Sequence, residues 1–225
     1  MSGLNLPDKD VLYEKAKEYW TTASQDEEGM LGGFGVVHKA DITTSRTFIK
    51  NLKNKGILEN FGTAVDCGCG IGRVTKHLLL PMFEKVDMVD AVEELIEKSH
   101  EYVGETSKVG LRSSDGLQNF VPETGKYDLI WIQWVSGHLP DEDFIDFFKR
   151  CQRGITAGGV IVLKDNMLTT KKVIFDDEDH SLLRPESAIL DLISKSGLKI
   201  VSRCTQQGFP SELYPVKIFA MVPQR

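Results

Sequence analysis

The sequence predicts an α/β fold, in which a mostly parallel sheet ends in an antiparallel edge and a helical extension precedes it. From residue 63 onward, short apolar and β-branched runs alternate with stretches whose apolar residues recur at helical spacing. Near the C-terminus, two strand-like runs at 199–206 and 214–222 follow each other without a helix between them. A βα alternation closed by a hairpin is typical of a parallel sheet with an antiparallel edge strand.

Length and composition agree with one globular domain plus an extension. The chain has 225 residues, of which 41% are hydrophobic and 27% are charged, as in ordinary globular domains. At roughly 150 residues per domain, this length corresponds to one domain with additions. We assign residues 1–60 to a helical extension and residues 61–225 to the main α/β domain.

The extension is predicted to contain two helices joined by a glycine loop. Residues 10–23 repeat apolar side chains at helical spacing, and residues 41–52 do the same, with Asp41 as the expected N-cap. Between them, residues 29–35 (GMLGGFG) are expected to form a flexible loop. Two such helices can either close the open end of the sheet as a lid or cover one of its edges.

In the main domain, apolar runs predict strands and amphipathic runs predict helices. The run at 127–135 is almost continuously apolar, which indicates a strand buried on both faces. A helix over 72–83 would carry Val74, Leu78 and Met82 on one face. The other strands are expected at 64–66, 85–90 and 158–166, and the other helices at 92–103, 141–153 and 185–197.

Charge and apolar patterning exclude several classes of partner. The 27 Lys and Arg residues against 33 Asp and Glu residues give a net charge of −6, whereas binding to a phosphate backbone calls for a basic face. We therefore expect no nucleic-acid partner, and a cationic substrate becomes more plausible. No apolar run approaches the ~18 residues of a bilayer span, and residues 1–15 lack the pattern of a secretory signal, so we expect an intracellular protein without a membrane partner.

The cysteines and the acidic run do not have metal-site spacing. Four cysteines are too few for a disulfide scaffold, and Cys67-Gly-Cys69 lacks a second pair at zinc spacing. The acids at 176–179 lack the D-x-D-x-D-G spacing of a calcium loop. We expect no metal ligands at either place and none elsewhere in the chain.

A glycine loop is the strongest local motif. Residues 65–73 (VDCGCGIGR) lie between a predicted strand and a predicted helix, where glycines let the backbone approach a ligand closely. Asp90 ends the next strand, where a carboxylate can bind two ribose hydroxyls. This order predicts a nucleoside-type cofactor, although the spacing G-x-G-x-G differs from the dinucleotide fingerprint G-x-G-x-x-G.

The loop and the terminal hairpin resemble the class I S-adenosylmethionine (SAM)-dependent methyltransferases, which have a seven-stranded, Rossmann-like sheet. The resemblance implies that an acid, here Asp66, precedes the loop, that Asp90 holds the ribose and that 115–118 pack the adenine. Arg73 either pairs with the SAM carboxylate or is a solvated helix charge. The implied SAM-binding residues are Gly68, Gly70, Gly72, Arg73, Asp90, Leu117, Gln118 and Gln133.

Longer stretches resemble one family more specifically, the α-N-terminal protein methyltransferases, which modify the N-terminal amine of Xaa-Pro-Lys/Arg proteins. The resemblance spans the chain and rests on WIQWVSGHL, IVLKDNM, DDEDHS, KAKEYW and GMLGGFG. Cys69 stands where the family usually has alanine, and the different sequence at 169–172 leaves the register over 168–175 open. By this resemblance the protein would be nuclear as well as cytoplasmic.

The resemblance also implies the catalytic residues. His138 and Asp179 match the family's acid–base positions, and Asn166 would orient the amine through its side-chain oxygen. An α-amine has a pKa of about 7.7–8.0, so deprotonation at pH 7 costs only about 1 kcal/mol. Neutral imidazole and carboxylate are therefore sufficient bases.

The implied substrate site has apolar walls and acidic acceptors. Trp134 would stack on the proline at substrate position two, whereas Trp131, three residues away in the same strand, points to the opposite face and is expected in the core. Carboxylates would accept the Lys or Arg at position three. The implied substrate-binding residues are Trp20, Tyr19, Leu31, Gly32, Trp134, Asp176, Ser181 and Tyr214.

Two alternatives stay open at this point. One is a SAM-dependent methyltransferase of a small cationic amine, and the other is a catalytically silent SAM-binding module. A nucleobase amine is disfavoured because residues 132–139 lack the [DN]-P-P-[YFW] motif. No pattern in the sequence indicates an oligomeric state.

Overall fold

The computed structural model describes residues 6–224 and is built on two sheets and five α-helices within that range. The strands are β1 (Thr63–Cys67), β2 (Lys85–Val89), β3 (Val109–Ser113), β4 (Tyr127–Gln133), β5 (Ile155–Asn166), β6 (Ile174–Asp176), β7 (Ser181–Leu183), β8 (Leu198–Thr205) and β9 (Val216–Pro223). The helices are α1 (Lys9–Thr22), α2 (His38–Asn54), α3 (Glu93–Val103), α4 (Asp141–Gly154) and α5 (Glu186–Lys195).

The main sheet has seven strands in the order β3-β2-β1-β4-β5-β9-β8. Strands β1 to β5 pair in parallel, while β9 is antiparallel to both β5 and β8. This arrangement confirms the predicted fold class. The strand order reverses between β1 and β4, and open α/β sheets bind ligands at the carboxyl ends of strands at such a reversal.

The core fills both faces of the sheet because successive residues of a buried strand point to opposite sides. On β4, Ile130 and Ile132 pack in one cluster with Phe144 and Phe148 of α4. Trp131 lies on the other face in a cluster that includes Phe48 of α2, and it is fully buried, as predicted. Helix α2 of the extension therefore supplies part of the core.

The helix expected over 72–83 is shorter than predicted. It covers residues 73–79, of which Thr75–Leu79 are π-helical, and Leu80 N donates to Thr75 O over 2.9 Å. Pro81 follows at once, and a proline has no N–H with which to continue a helix. The carbonyl of His77, to which residue 81 would donate in an α-helix, accepts instead from Arg46 Nη2 at 2.7 Å.

The prediction that Asp41 is an N-cap was wrong. Helix α2 begins at His38, so Asp41 lies within its first turn, where it is fully buried and ion-paired. The loop expected over 29–35 contains two 3-10 turns, Gly29–Leu31 and Gly35–Val37.

Three strands had no individual sequence prediction. Strand β3 is an edge strand with largely exposed residues, so it lacks the apolar signature of the buried strands. Strands β6 and β7 have three residues each and form a separate hairpin around the acidic run. None of the described helices has the length and apolar content that crossing a bilayer requires. The division at residue 60 stays a prediction.

Candidate active site

A cavity of about 490 Å³ opens at the carboxyl ends of β1 and β4. Helix α1 contributes Tyr13 and Ala16 to its wall, and Met30 reaches it from the first 3-10 turn. Residues predicted for both cofactor and substrate line it together: Trp20, Gly68, Gly70, Arg73, Asp90, Leu117, Gln118, Gln133, Trp134 and His138. The extension and the sheet thus form one site.

The first two glycines of the glycine loop, Gly68 and Gly70, line the cavity. Gly68 has φ +74°, and a Cβ there would lie 2.6 Å from the Val135 side chain, so the position needs glycine both for its backbone and for space. Gly72 does not line the cavity. With φ +89° and a hypothetical Cβ only 2.4 Å from Val103 Cγ2, it allows α3 to pack closely, which explains this glycine without a cofactor contact.

Asp90 is held rigidly at the end of β2. Its Oδ2 accepts a hydrogen bond from Gly70 N at 2.7 Å, and its Oδ1 accepts one from Val92 N at 3.0 Å. Burial raises the pKa of Asp90, although these backbone donors oppose the rise. A carboxylate oxygen can accept a second hydrogen bond, so both oxygens can still receive the hydroxyls of a ribose.

The segment expected to pack the adenine is fixed from behind by Arg150 of α4. Its Nη2 donates to Leu117 O at 2.7 Å and to Gln118 O at 3.0 Å, while its Nε donates to Phe120 O at 2.9 Å. The Leu117 side chain is buried at the cavity wall. Sequence reasoning missed Arg150, which acts through the backbone of its neighbours.

Arg73 belongs to a buried charge network that sequence reasoning also missed. Its Nη1 donates to Asp41 Oδ2 at 2.8 Å, and Gln133 Nε2 donates to Asp41 Oδ1 at 2.9 Å. Burial alone would raise the pKa of Asp41, but Lys164 and Arg73 hold it below its usual range. Arg73 is thus buried and positioned by an anion from the extension, which excludes the solvated-charge alternative.

Lys164 completes this network from near the C-terminal end of β5. Its ammonium group contacts Asp41, Ser45 Oγ at 2.8 Å and Gln206 Oε1 at 2.7 Å, so acceptors surround it. Burial lowers the pKa of Lys164, and the charge and hydrogen bond of Asp41 oppose that effect. A lysine inside the apolar run VIVLKDN was the sequence signal that could have revealed this site.

His138 meets the extension directly. Trp20 Nε1 donates to His138 Nε2 at 3.0 Å, so the proton of the neutral ring lies on Nδ1. Burial is the main reason that the pKa of His138 is lowered, against an opposing effect of the Asp179 charge. The ring is therefore neutral at pH 7, and a substrate amine must take the place of the Trp20 donor to use it as a base.

Trp134 forms a fixed aromatic wall just beyond β4. Its φ of +54° is in the left-handed region that bulky residues rarely adopt, and such outliers concentrate at functional sites. Its Nε1 donates to Asn166 Oδ1 at 3.2 Å, and its ring lies 5.7 Å from both Arg73 Cζ and Lys164 Nζ. The Asn166 oxygen predicted to orient the amine thus already accepts one hydrogen bond.

The acidic run forms the turn of the β6–β7 hairpin next to His138. Asp176 pairs with Ser181 across the hairpin, and Asp179 Oδ1 accepts from Ser181 N at 3.0 Å. The hairpin packs closely against the 3-10 turn Ser136–His138. A Cβ added to Gly137 of that turn would lie only 3.2 Å from Leu182 O of the hairpin. Carboxylates therefore lie beside the imidazole.

Other predicted substrate residues lie around this hairpin or farther out. Burial raises the pKa of Tyr19, and the charges of Glu178, Asp179 and Asp176 raise it further, which places Tyr19 beside the acidic turn. Leu31 is buried in its 3-10 turn, and Gly32 ends that turn with φ +58°. Tyr214 is 46% exposed, two residues before β9, and does not line the cavity.

Comparison with known proteins identifies the family. A family model described as AdoMet-dependent proline di-methyltransferase matches residues 8–222. The chain belongs to this family. The protein is thus a SAM-dependent methyltransferase, and a cavity with two close-approach glycines, a carboxylate fixed at the end of β2 and a buried guanidinium fits that cofactor.

Curated relatives match this methyltransferase over almost its full length. It is 56% identical to the "Alpha N-terminal protein methyltransferase 1" of Caenorhabditis elegans over 95% of this chain and 91% of that protein. It is 43% identical to the "N-terminal Xaa-Pro-Lys N-methyltransferase 1" of Mus musculus over 96% of this chain and 97% of that protein.

Solved structures agree with the fold of the methyltransferase. A SAM-dependent methyltransferase of Leishmania major is 35% identical, with a TM-score of 0.88 over 93% of this chain and 82% of that one. A Burkholderia thailandensis N1-methyltransferase with bound S-adenosylhomocysteine has a TM-score of 0.76 over 99% of this chain and 93% of that one. At 13% identity, this second match supports the fold alone.

Proposed function

We propose that this enzyme transfers methyl groups from SAM to the α-amine of proteins that begin with Xaa-Pro-Lys or Xaa-Pro-Arg once the initiator methionine is removed. The observation that carries the proposal is the combination of an indole-walled cavity with carboxylates at its edge. Trp20 and Trp134 line the cavity, and the hairpin that bears Asp176 and Asp179 packs beside His138. The names of the C. elegans and mouse relatives support the same reading.

Recognition follows from the chemistry of these walls. A proline ring is rigid and apolar, so it loses little entropy when it packs against an indole that is already fixed. Trp134 is fixed by Asn166 and by two cations near its ring. The Lys or Arg at position three would then meet the carboxylates of Asp176 and Asp179.

The chain's own residues have two tasks in the reaction. SAM supplies an electrophilic methyl carbon, which only an unprotonated amine can attack. His138, neutral at pH 7, would accept the ammonium proton at Nε2 when the amine displaces Trp20, and Asp179 would stabilise the resulting imidazolium. Most of the acceleration would come from holding the amine in line with the methyl group.

A peptide pair tests the proposed substrate. A short Xaa-Pro-Lys peptide should accept methyl groups from radiolabelled SAM, whereas its N-acetylated copy should not, because acetylation removes the nucleophilic lone pair. An excess of a small cationic amine should leave peptide labelling unchanged. Equal labelling of both peptides, or full competition by the small amine, would contradict the proposal.

A matched pair of variants tests the assignment of Asp179. Asp179→Asn should lower kcat/KM for the peptide at least tenfold, given that general acid–base groups contribute about 10²–10⁴ in rate. Asp177→Asn removes an exposed acid from the same turn and should change little. If both substitutions change kcat/KM equally, Asp179 acts only through its surface charge and has no specific role in catalysis.

Repeated methylation of one amine is a further part of the proposal. The description of the matching family model as a di-methyltransferase supports it, whereas Gly32 is exposed and does not line the cavity. Intact mass of one peptide at full conversion would count the methyl groups. A final mass that corresponds to a single added methyl group would exclude repeated methylation.

A further inference from the structure

Two histidines and a glutamate meet outside the active site. Glu27 lies in the loop after α1, His38 begins α2, and His77 lies in the π-helical segment that follows the glycine loop. Their possible metal-ligating atoms all lie within 4.8 Å of one another. Three segments that are distant in sequence thus place two imidazole nitrogens and a carboxylate around one point.

Hydrogen bonding explains only part of this cluster. His77 Nε2 lies 3.2 Å from Glu27 Oε1 and 3.0 Å from the Tyr102 hydroxyl, which itself donates to Glu27. His38 Nδ1 lies 3.1 Å from Glu27 Oε2, but it is buried and makes no hydrogen bond to any residue in the 6–224 range. A buried polar atom without a partner is costly, and a bound cation would satisfy it.

The surroundings favour a cation. A shallow depression beside the cluster is lined by the acids Asp26, Glu27, Glu28 and Glu101 and by the bases Lys76 and Lys98. Lys76 Nζ donates to Tyr102 O at 2.6 Å and lies over the Tyr102 ring, so it adjoins the cluster without contacting Glu27, and Lys98 is paired with Glu101 at 2.7 Å. The carboxylate of Glu27 therefore faces the two imidazoles without a competing lysine contact.

We propose that Glu27, His38 and His77 form a binding site for Zn²⁺. Two histidines and one glutamate are a ligand set that zinc accepts, and the fourth position of its tetrahedron is left for water or the Tyr102 hydroxyl. Zinc bonds of about 2.0–2.1 Å place neighbouring ligand atoms about 3.4 Å apart in a tetrahedron. His38 Nδ1 lies 3.1 Å from Glu27 Oε2 and His77 Nε2 lies 3.2 Å from Glu27 Oε1, which is close to that spacing, and the possible ligand atoms all lie within 4.8 Å of one another.

The site departs from the sequence expectation that no metal ligands are present. That expectation weighed only Cys67, Cys69 and the acidic run, because the three ligands here have no recognisable spacing in the sequence. The segment that would bring His77 to the site is π-helical, a geometry that occurs frequently at functional sites.

A metal here would connect the extension to the methyltransferase core. Glu27 lies between α1, which carries Trp20, and the 3-10 turn that carries Met30, and both of those side chains line the active-site cavity. A bond from Glu27 through zinc to His77 would fix this stretch against the helical segment after the glycine loop. Zinc would thus order the part of the extension that lines the cavity.

Binding of metal alone to the full-length, tag-free protein tests the proposal. Zn²⁺ at a hundredfold excess over Kd should raise Tm by about 5 °C or more, and Mg²⁺ at the same concentration should not. Co²⁺ should give the visible absorption of a tetrahedral site. Hydrogen exchange should slow within residues 24–37 when zinc is added.

Conservative variants assign the ligands. His77→Gln and Glu27→Gln should each lose the Tm rise and the Co²⁺ absorption, while His100→Gln, a variant of a more exposed histidine that also contacts a glutamate, should keep both. Circular dichroism would show that each variant is folded. Absence of a zinc effect on the wild type, or an effect that survives both ligand substitutions, would overturn the proposal.

Discussion

At the scale of single residues, Asp41 has more partners than any predicted site residue. Its buried carboxylate accepts hydrogen bonds from Arg73 of the helical turn after the glycine loop, from Gln133 of β4 and from Lys164 of β5. An ion pair removed from water is strongly disrupted when one partner is lost, because the other charge stays buried. Asp41 is therefore a positioning residue for Arg73 rather than a group that touches SAM.

Asp41→Asn should destabilise the protein by about 3–5 kcal/mol, since it leaves two buried cations without their anion. Urea denaturation followed by circular dichroism measures the change. Lys164→Met in the Asp41→Asn background should restore part of the loss, because it removes one uncompensated charge. A double variant less stable than Asp41→Asn alone would show that the charges are not coupled as the structure indicates.

Trp20 controls the titration of His138. Its indole N–H donates to Nε2 and so stabilises the neutral ring, in addition to the burial that already lowers the pKa of His138. Trp20→Phe removes the donor, so the pKa of His138 should rise, and the acidic loss of kcat/KM should move to higher pH. NMR titration of the His138 ring in wild type and variant measures this directly.

Tyr19→Phe is the control for that titration because it leaves the indole contact in place. It should keep the pKa of His138 near the wild-type value. If Trp20→Phe leaves the pKa of His138 unchanged or lowers it, the hydrogen bond does not stabilise the neutral ring.

At the scale of elements, the β6–β7 hairpin brings acids to the base. The hairpin rests on Gly137, where only a glycine fits beneath the backbone of Leu182 without displacement. The position of Asp176 and Asp179 relative to His138 therefore depends on this packing and on Arg184, which directly follows β7 and donates to Ser136 O at 3.2 Å and to Leu139 O at 2.6 Å. Cofactor residues, by contrast, lie on or next to the long parallel strands.

Gly137→Val should raise the KM for the peptide about tenfold by pushing the hairpin away, while the Kd for SAM stays nearly constant. Steady-state kinetics and calorimetry separate the two effects. Gly137→Ala should give an intermediate value, because a single methyl group demands a smaller shift. A parallel loss of SAM affinity would instead indicate that the change unfolds the site as a whole.

At the scale of the whole molecule, the net charge of −6 affects how a cationic peptide approaches. Raising NaCl from about 0.05 to 0.3 M shortens the screening length, which is about 10 Å at 0.1 M. The KM for an Xaa-Pro-Lys peptide should therefore rise several-fold. The KM for an Xaa-Pro-norleucine peptide, which lacks the side-chain charge, should change less with salt. An equal change for both peptides would show that Asp176 and Asp179 do not recognise the charge at position three.

Much of the fold was predictable from the sequence because buried parallel strands are long and apolar. The run at 127–135 and the final pair of strands carried a clear pattern, whereas edge strand β3 and the three-residue strands of the hairpin did not. The helix predicted over 72–83 ended early, before Pro81. The prediction used only the spacing of apolar residues and did not take this proline into account.

Site residues that belong to local sequence motifs were predictable, whereas contacts between residues distant in sequence were not. The glycine loop, Asp90 and the residues around Trp134 were visible as local patterns. The pairing of Asp41 with Lys164 was not, because nothing near Asp41 indicates a partner in β5. Gly72 belongs to the motif by spacing, but helix packing rather than the cavity explains it.

The pairing of Asp41 with Lys164 has a consequence for how the chain is made. The two residues are 123 positions apart, and a contact this distant can form only after most of the polypeptide has left the ribosome. Until then, the Asp41 carboxylate of α2 can pair with Arg73, which is 32 positions away, but it lacks its second cation, so the buried network is completed only when β5 has been made. The extension and the catalytic sheet should therefore acquire their final structure in one late step.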